Sequence, residues 1–467
     1  MATKTDRLVS NLKYYSLGVF ASKMITFLFI PIYAAFILPE SLGRYQYLFS
    51  IISLCIPMLY QSIWEGMFRF SILSKGNEED VINTTTKYVI GLTGIYSILY
   101  FIAVFIWKFN YSGYILLCGI SQAAISYWQY AARALKANRE YAIASIATTI
   151  VTLALNVFLI IVLRMQIEAL FISVIVGSFT AALYLEVKLK LLKNCFRQQL
   201  QRDMLFAIIK YSLPLAINSI SWWLVSSCNN IVVTNYLGDN ANGIMAMAQR
   251  FGSIYAIVTS IISMAWQEES FRTYYDEDKD IYFNKILNIY TKALFSAAIV
   301  LMPLTYVLYT IMVQGDYSKG AALTSILYII AAYNALVTHL GSAFLAEGKS
   351  NIMFWTTLIA GLLTLVFSVI LIIPFGLMGV LIGTLLSCII NLIIRVLLLY
   401  KRMKLHINYF QLVILTTVNF VYAYLCTLIG LNILYQTLFT VFTIIVFCCY
   451  NKKLIIPFLR KINIIKR

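Results

Sequence analysis

The chain has 467 residues, of which 61% are hydrophobic and only 12% charged, and it carries a formal net charge of +17. Its mean hydropathy is +0.83. A soluble domain carries about 25% charged residues, so these figures exclude a soluble globular fold. They also exclude the nucleic-acid partner that so basic a balance suggests in a soluble protein. The excess charge reads instead as a topology signal facing anionic lipid head groups.

Apolar runs long enough to cross a bilayer, about 20 residues each, recur from Tyr14 to Tyr450. They predict an all-α polytopic membrane protein with about fourteen transmembrane helices. The spans are 14–38, 45–64, 88–107, 113–131, 142–163, 167–187, 211–236, 243–265, 287–313, 320–345, 351–373, 376–400, 409–430 and 432–450. The start, Met1 to Lys13, is polar and has no pattern of a cleavable leader. The eight cysteines show no metal-type spacing, and neither a disulfide, a metal nor a cofactor is expected.

Lys and Arg fall in alternate loops. The segments placed inside begin with Lys4, Arg7 and Lys13, then Arg69, Lys75 and Lys87, then Arg133, Lys136 and Arg139. They continue through the dense run from Lys188 to Lys210 to Lys401, Arg402 and Lys404 and the basic tail. The outer segments hold only Arg44, Lys108, Arg164 and Lys319. The positive-inside rule then puts both termini in the cytoplasm.

The chain also repeats itself. Leu135 to Tyr141 after the fourth span matches Leu345 to Asn351 after the tenth, 210 residues on. The entrances match too, Lys13 to Leu17 against Lys210 to Pro214. Spans 1–6 and 7–12 therefore read as two copies of one six-helix unit. With an even number of spans each, they are parallel repeats about an axis along the membrane normal. The expected organisation is an N-lobe at 1–190, a basic cytoplasmic linker at 191–210, a C-lobe at 211–404, and two further helices with a basic tail at 405–467. Two such bundles facing one another make a transporter whose central cavity opens to either side by rocking.

The stretch from Ser368 to Ser387 contains Pro374, Phe375, Gly376, Gly379, Val380, Thr384 and Ser387. It resembles a recurrent stretch of the polysaccharide transporter family, in which a long span ends in Pro-x-Phe-Gly, then Gly-Ala/Val, then Thr-x-x-Ser. That family belongs to the multidrug/oligosaccharidyl-lipid/polysaccharide exporter superfamily and includes the O-antigen (Wzx-type) flippases. The family's usual Asn in the first repeat is met by Asn156, whereas the second copy has Ser368. The resemblance implies an inner-membrane flippase, not an enzyme, carrying polyprenyl-diphosphate-linked oligosaccharide for O-antigen or another surface polysaccharide. It implies a glycan polymerase and a chain-length regulator as neighbours, and leaves the coupling ion, H+ or Na+, open.

Ionisable residues within spans normally face a cavity or the protein interior. Lys23 lies near the middle of span 1 and Arg250 inside span 8, with almost no matching acid. Unbalanced positive charge in a cavity favours an anion, and a diphosphate joining sugar to polyprenol is one. Lys23 and Arg250 are therefore the candidate diphosphate contacts. Lys292 and Arg395 lie closer to cytoplasmic ends, where long stems are expected to snorkel to the interface.

The inner ends of spans 2 and 8 echo each other, with Trp64, Glu65 and Arg69 against Trp266, Gln267 and Arg272. These are candidates for a sugar–phosphate mouth, beside the plainer reading of interfacial aromatics and positive-inside arginines. Span 7 carries Asn218, Trp222, Val225 and Asn229 at 4, 3 and 4 spacing, hence on one helical face. Amides and indoles suit sugar hydroxyls, although interhelical hydrogen bonding fits the same residues. Pro31 and Pro214 open the two lobes and are candidate hinges.

Three other readings compete with the glycan flippase. A cation-coupled multidrug exporter needs intramembrane carboxylates, where this chain offers Lys23. A lipid-linked peptidoglycan-precursor flippase shares the fold and a basic cavity. A membrane glycan polymerase or ligase needs a sizeable outer loop, and every outer loop here is short.

Overall fold

The computed structural model describes residues 27, 29–74, 77–108, 110–196, 200–405 and 407–452. Among the described residues there are fifteen α-helices and no strand. Eleven helical stretches are long and apolar enough to cross a membrane. The chain is an all-α, multi-pass membrane protein.

In chain order the helices are α1 (Ile30–Phe36), α2 (Pro39–Leu59), α3 (Ile63–Leu73), α4 (Glu78–Trp107) and α5 (Ser112–Ala134). Next come α6 (Asn138–Val157), which ends in a π-turn at Phe158–Val162, then α7 (Ile167–Leu189), α8 (Leu191–Cys195) and α9 (Arg202–Ser226). The remainder are α10 (Cys228–Thr273), α11 (Lys279–Met312), α12 (Gly320–Ala346), α13 (Ser350–Met403), α14 (Tyr409–Ile429) and α15 (Ile433–Tyr450). Two of these are double. Gly238 (φ 84°) breaks α10, and Gly376 (φ 56°) breaks α13 into the predicted spans 351–373 and 376–400. Span 1 lies outside the described residues except for its last part.

Span 7 departs from the expected single helix. Ser227 (φ −131°) interrupts it between α9 and α10. The Ser226 hydroxyl donates to the Trp222 carbonyl and meets the Ser227 hydroxyl at 3.2 Å. Such side chains offer the backbone an alternative to the helical ladder.

Residues cluster into two compact units, one of Phe36–Thr234 and one of Phe27–Ala35 with the residues from Asn235 onward. In the first unit α9 packs on α2 and α3. Trp223 Nε1 donates to the Ser50 carbonyl at 2.8 Å, and Asn230 Nδ2 donates to Ser50 Oγ at 2.8 Å. Gly66 admits Ser212, whose Oγ would lie 2.1 Å from any Cβ placed there. The buried Tyr127 hydroxyl ties α5 to α4 through Thr85 and Thr86, each at 2.8 Å.

In the second unit α14 and α15 are held by polar contacts that hydrocarbon would leave unsatisfied. Tyr333 and Thr416 share a hydrogen bond of 2.7 Å, Asn419 Nδ2 donates to the Phe295 carbonyl at 3.2 Å, and Asn451 Nδ2 donates to Ser296 Oγ at 2.9 Å. Within α13 the break at Gly376 brings two helices so close that a Cβ on Gly379 would lie 1.9 Å from the Leu371 carbonyl oxygen.

Candidate functional site

The second unit holds a cavity of about 480 Å³ between α10 and α12, lined also by Met353 of α13. Its polar lining is Thr259, Ser260, Ser263 and Gln267 from α10, with Asn334, Thr338 and Ser342 from α12. Among the described residues no charged side chain lines it. The spacing explains the surface: Ser260, Ser263 and Gln267 at 3 and 4, and Asn334, Thr338 and Ser342 at 4 and 4, each fall on one helical face.

The hydroxyls are arranged to accept. Ser260 donates to the Ile257 carbonyl at 2.7 Å, Thr259 to Ala256 at 3.0 Å and Thr338 to Asn334 at 2.9 Å. Each spends its one proton on its own helix and keeps lone pairs for a ligand. The Gln267 and Asn334 amides add donors, so the wall matches polyols, which both donate and accept.

Behind the wall lies a buried cation. Arg395 of α13 is 2% exposed. Its Nη1 donates to the Val337 carbonyl at 2.7 Å, Nε to Thr356 Oγ1 at 3.1 Å and Nη2 to Thr357 Oγ1 at 3.0 Å. The expected snorkelling of Arg395 is corrected by this geometry: α12 offers Gly341 beside the guanidinium, and the neighbouring threonines satisfy it in place. Lys292, by contrast, is exposed.

Other expected site residues are placed as follows. Arg250 lies about 18 Å along α10 from Gly238, at 1.5 Å per residue. Its guanidinium sits over the Tyr33 ring, 4.2 Å from the centroid, and it does not line the cavity. Lys23 lies outside the described residues. Gln267 lines the cavity, whereas its neighbour Trp266 is buried and stacked on His339 at 4.2 Å, donating Nε1–H to the His339 carbonyl at 3.1 Å. Arg272 pairs with Glu268 on an exposed surface.

In the first unit Trp64 is buried against Tyr60, and Glu65 stands in the first turn of α3. Arg69 stacks on Tyr211 at 4.2 Å. The face of span 7 does not act as one: Trp222 is 46% exposed, Asn229 is buried, and the break at Ser227 separates them. Asn218 is half-buried. Pro31 is the second residue of α1. Pro214 lies inside the continuous α9. The Ser/Thr/Asn wall of the cavity was absent from the expected set, although small polar residues at 3 and 4 spacing in spans 8 and 10 signal it.

The fold is that of known membrane transporters. A lipid II flippase MurJ in an inward closed conformation matches with a TM-score of 0.68, at 13% identity, over 95% of this chain and 99% of that one. An inward-facing multidrug resistance MATE family transporter of the MOP superfamily matches with a TM-score of 0.64, at 14% identity, over 81% and 97%. A MOP superfamily transporter from Pyrococcus furiosus, described for the reverse polarity of its binding pocket, matches with a TM-score of 0.57, at 14% identity, over 85% and 96%. No family model matches the sequence, and no curated protein matches it.

Proposed function

We propose that this chain is a flippase for polyprenyl-diphosphate-linked oligosaccharides, working by alternating access of its two lobes across a bacterial inner membrane with both termini cytoplasmic. The observation that carries this reading is the cavity of the second unit, whose described lining is hydroxyls and amides without a charged group. Sugar hydroxyls find both donors and acceptors there, while a cationic drug finds no carboxylate among the described residues. A fold shared with a lipid II flippase is compatible with the reading, and the fold alone fits a MATE exporter as well.

The diphosphate is assigned to Lys23 and Arg250. Stacking on Tyr33 uses the face of the Arg250 guanidinium and leaves its in-plane N–H groups for an anion. Among the described residues the Arg250 side chain makes no ion pair. Pro31 and Pro214 are proposed as bending points of the two lobes. The glycan polymerase and chain-length regulator implied by the family resemblance remain proposed partners.

Complementation tests the reading. In a strain lacking its oligosaccharide flippase the chain restores surface glycan, and Lys23→Ala with Arg250→Ala abolishes this at unchanged protein level. Restored growth of a lipid II flippase mutant, or drug resistance without glycan export, would replace the proposal with the corresponding competing reading. Full export by the well-expressed double variant would remove Lys23 and Arg250 from the site.

A further inference from the structure

A second cavity, of about 560 Å³, opens at one end of the same unit. Two turns and a helix end build it. Tyr274 and Tyr275 come from the turn after α10, with Lys279 at the start of α11; Glu347 and Lys349 come from the turn between α12 and α13; Leu398, Lys401 and Arg402 come from the end of α13. Among the described residues four cations thus share the lining with one carboxylate.

The carboxylate organises the cations rather than cancelling them. Glu347 Oε1 accepts from Lys349 Nζ at 2.6 Å and also from Arg402 Nη1. One oxygen therefore fixes two positive groups side by side, and both keep further N–H donors free. Lys279 Nζ sits 4.7 Å from the centroid of the Tyr274 ring. Lys401 has no ion pair among the described residues. The acids of the adjoining turn, Asp276, Glu277 and Asp278, are exposed and do not line the cavity.

The position adds a second constraint. Leu398 continues the apolar run of α13, and Lys401 and Arg402 end it, so the cavity lies at the border between hydrocarbon and water. Tyr275, 78% exposed, and Tyr400, 59% exposed, are side chains of the interfacial kind at that level. Cations held between helices at such a border bind phosphorylated head groups.

We propose that this pocket binds the phosphate of a lipid head group, with Arg402 and Lys349 as the paired donors and Lys279 and Lys401 closing around it. Phosphate binding here stands without the glycan reading, and only the carrier as its source rests on that reading. Two sources present this chemistry, an anionic phospholipid of the surrounding leaflet and the diphosphate of a polyprenyl carrier.

The test uses the full chain purified in detergent and in nanodiscs. Native mass spectrometry counts retained phosphatidylglycerol against phosphatidylcholine, and thermal melting is followed with farnesyl diphosphate or inorganic pyrophosphate added. The expected result is preferential retention of phosphatidylglycerol or stabilisation by farnesyl diphosphate, reduced at least threefold in Lys349→Gln with Lys401→Gln. The matched control Lys188→Gln with Lys190→Gln, in the first unit, removes the same charge and leaves binding as in the wild type. Phosphatidylglycerol retention identifies the bulk lipid as the source, and farnesyl diphosphate protection without it identifies the carrier. Protection by pyrophosphate alone, equal loss in the control, or no effect of the pocket variant overturns the proposal.

Discussion

Arg395 Nη2 donates to Thr357 Oγ1 at 3.0 Å, and Thr357 is itself buried, its hydroxyl also donating to the Met353 carbonyl at 2.8 Å. A full charge is thus held in the interior by two threonines and one carbonyl. Among the described residues no carboxylate pairs with it. The same Met353 lines the cavity, so the buried cation braces the wall on which the proposed sugar contacts stand.

Arg395→Ala leaves a void and strips three acceptors of their donor. The expected cost is about 2–5 kcal/mol, read as a lower melting temperature of the detergent-solubilised protein. Arg395→Lys keeps the charge but not the planar fork, and falls between the two. An alanine variant as stable as the wild type would deny Arg395 its bracing role.

Adjacent tryptophans are expected to part company. Trp223→Phe removes the hydrogen bond to the Ser50 carbonyl and costs about 1 kcal/mol. Trp222→Phe, at a side chain 46% exposed, stays within about 0.5 kcal/mol of the wild type. Melting curves of the two variants side by side check the difference.

Most spans were readable because they are apolar runs of bilayer length, although the span expected at 45–64 instead ends at Leu59, where Gln61 and Ser62 take positive φ. The turn at Gly376 was readable because Pro374 and Gly376 punctuate one such run. The polar face of span 7 was not, since a 4-3-4 spacing presumes an unbroken helix and Ser227 breaks it. Arg395 could be recognised as intramembrane but not as buried: its partners, Val337, Thr356 and Thr357, lie on other helices. The basic pocket draws on two turns and a helix end far apart in the chain, and a loop-by-loop count of charges records only topology.

Glycine substitutions separate close packing from mere flexibility. Gly379→Ala places a methyl group 1.9 Å from a backbone oxygen, and Gly376→Ala strains a backbone at φ 56°. The second is expected to cost about 1–3 kcal/mol and the first to reduce folded protein in the membrane. Gly91→Ala meets nothing within 4 Å in α4 and is expected to be neutral or stabilising by up to about 1 kcal/mol. Fluorescence-detected size exclusion of tagged variants gives the comparison.

Glu347 gives a pH dependence with a definite sign. Burial raises its carboxyl, but the hydrogen bonds and charges of Lys349 and Arg402 outweigh this and hold it below its usual range. A carboxylate depressed on folding contributes stability that is present above its unfolded value of about 4.3 and is lost as pH falls through the folded value. Glu347→Gln is therefore less stable than the wild type at pH 7, by no more than about 1 kcal/mol for so accessible a pair. The two melting temperatures converge as pH is lowered below about 4.3. A gap that persists unchanged into acid would assign the loss to packing instead.

The cavity itself makes the sharpest demand on the functional reading. Asn334 and Thr338 stand one turn apart on α12, and the Asn334 carboxamide oxygen already accepts from Cys388 Sγ at 3.3 Å. Thr338→Val keeps the shape and removes one hydroxyl, so glycan export is expected to fall about five- to thirty-fold, the worth of about one to two kcal/mol of lost hydrogen bonding. Gln267→Leu, on the opposite wall, is expected to fall at least as far, because it removes both an acceptor and two donors. Neither change touches Arg395, so melting temperatures stay near the wild type. Export is measured as surface glycan per unit of membrane-inserted protein. Unchanged export from the Thr338→Val, Gln267→Leu pair would show that sugars do not contact this wall, and the cavity would cease to support a glycan substrate.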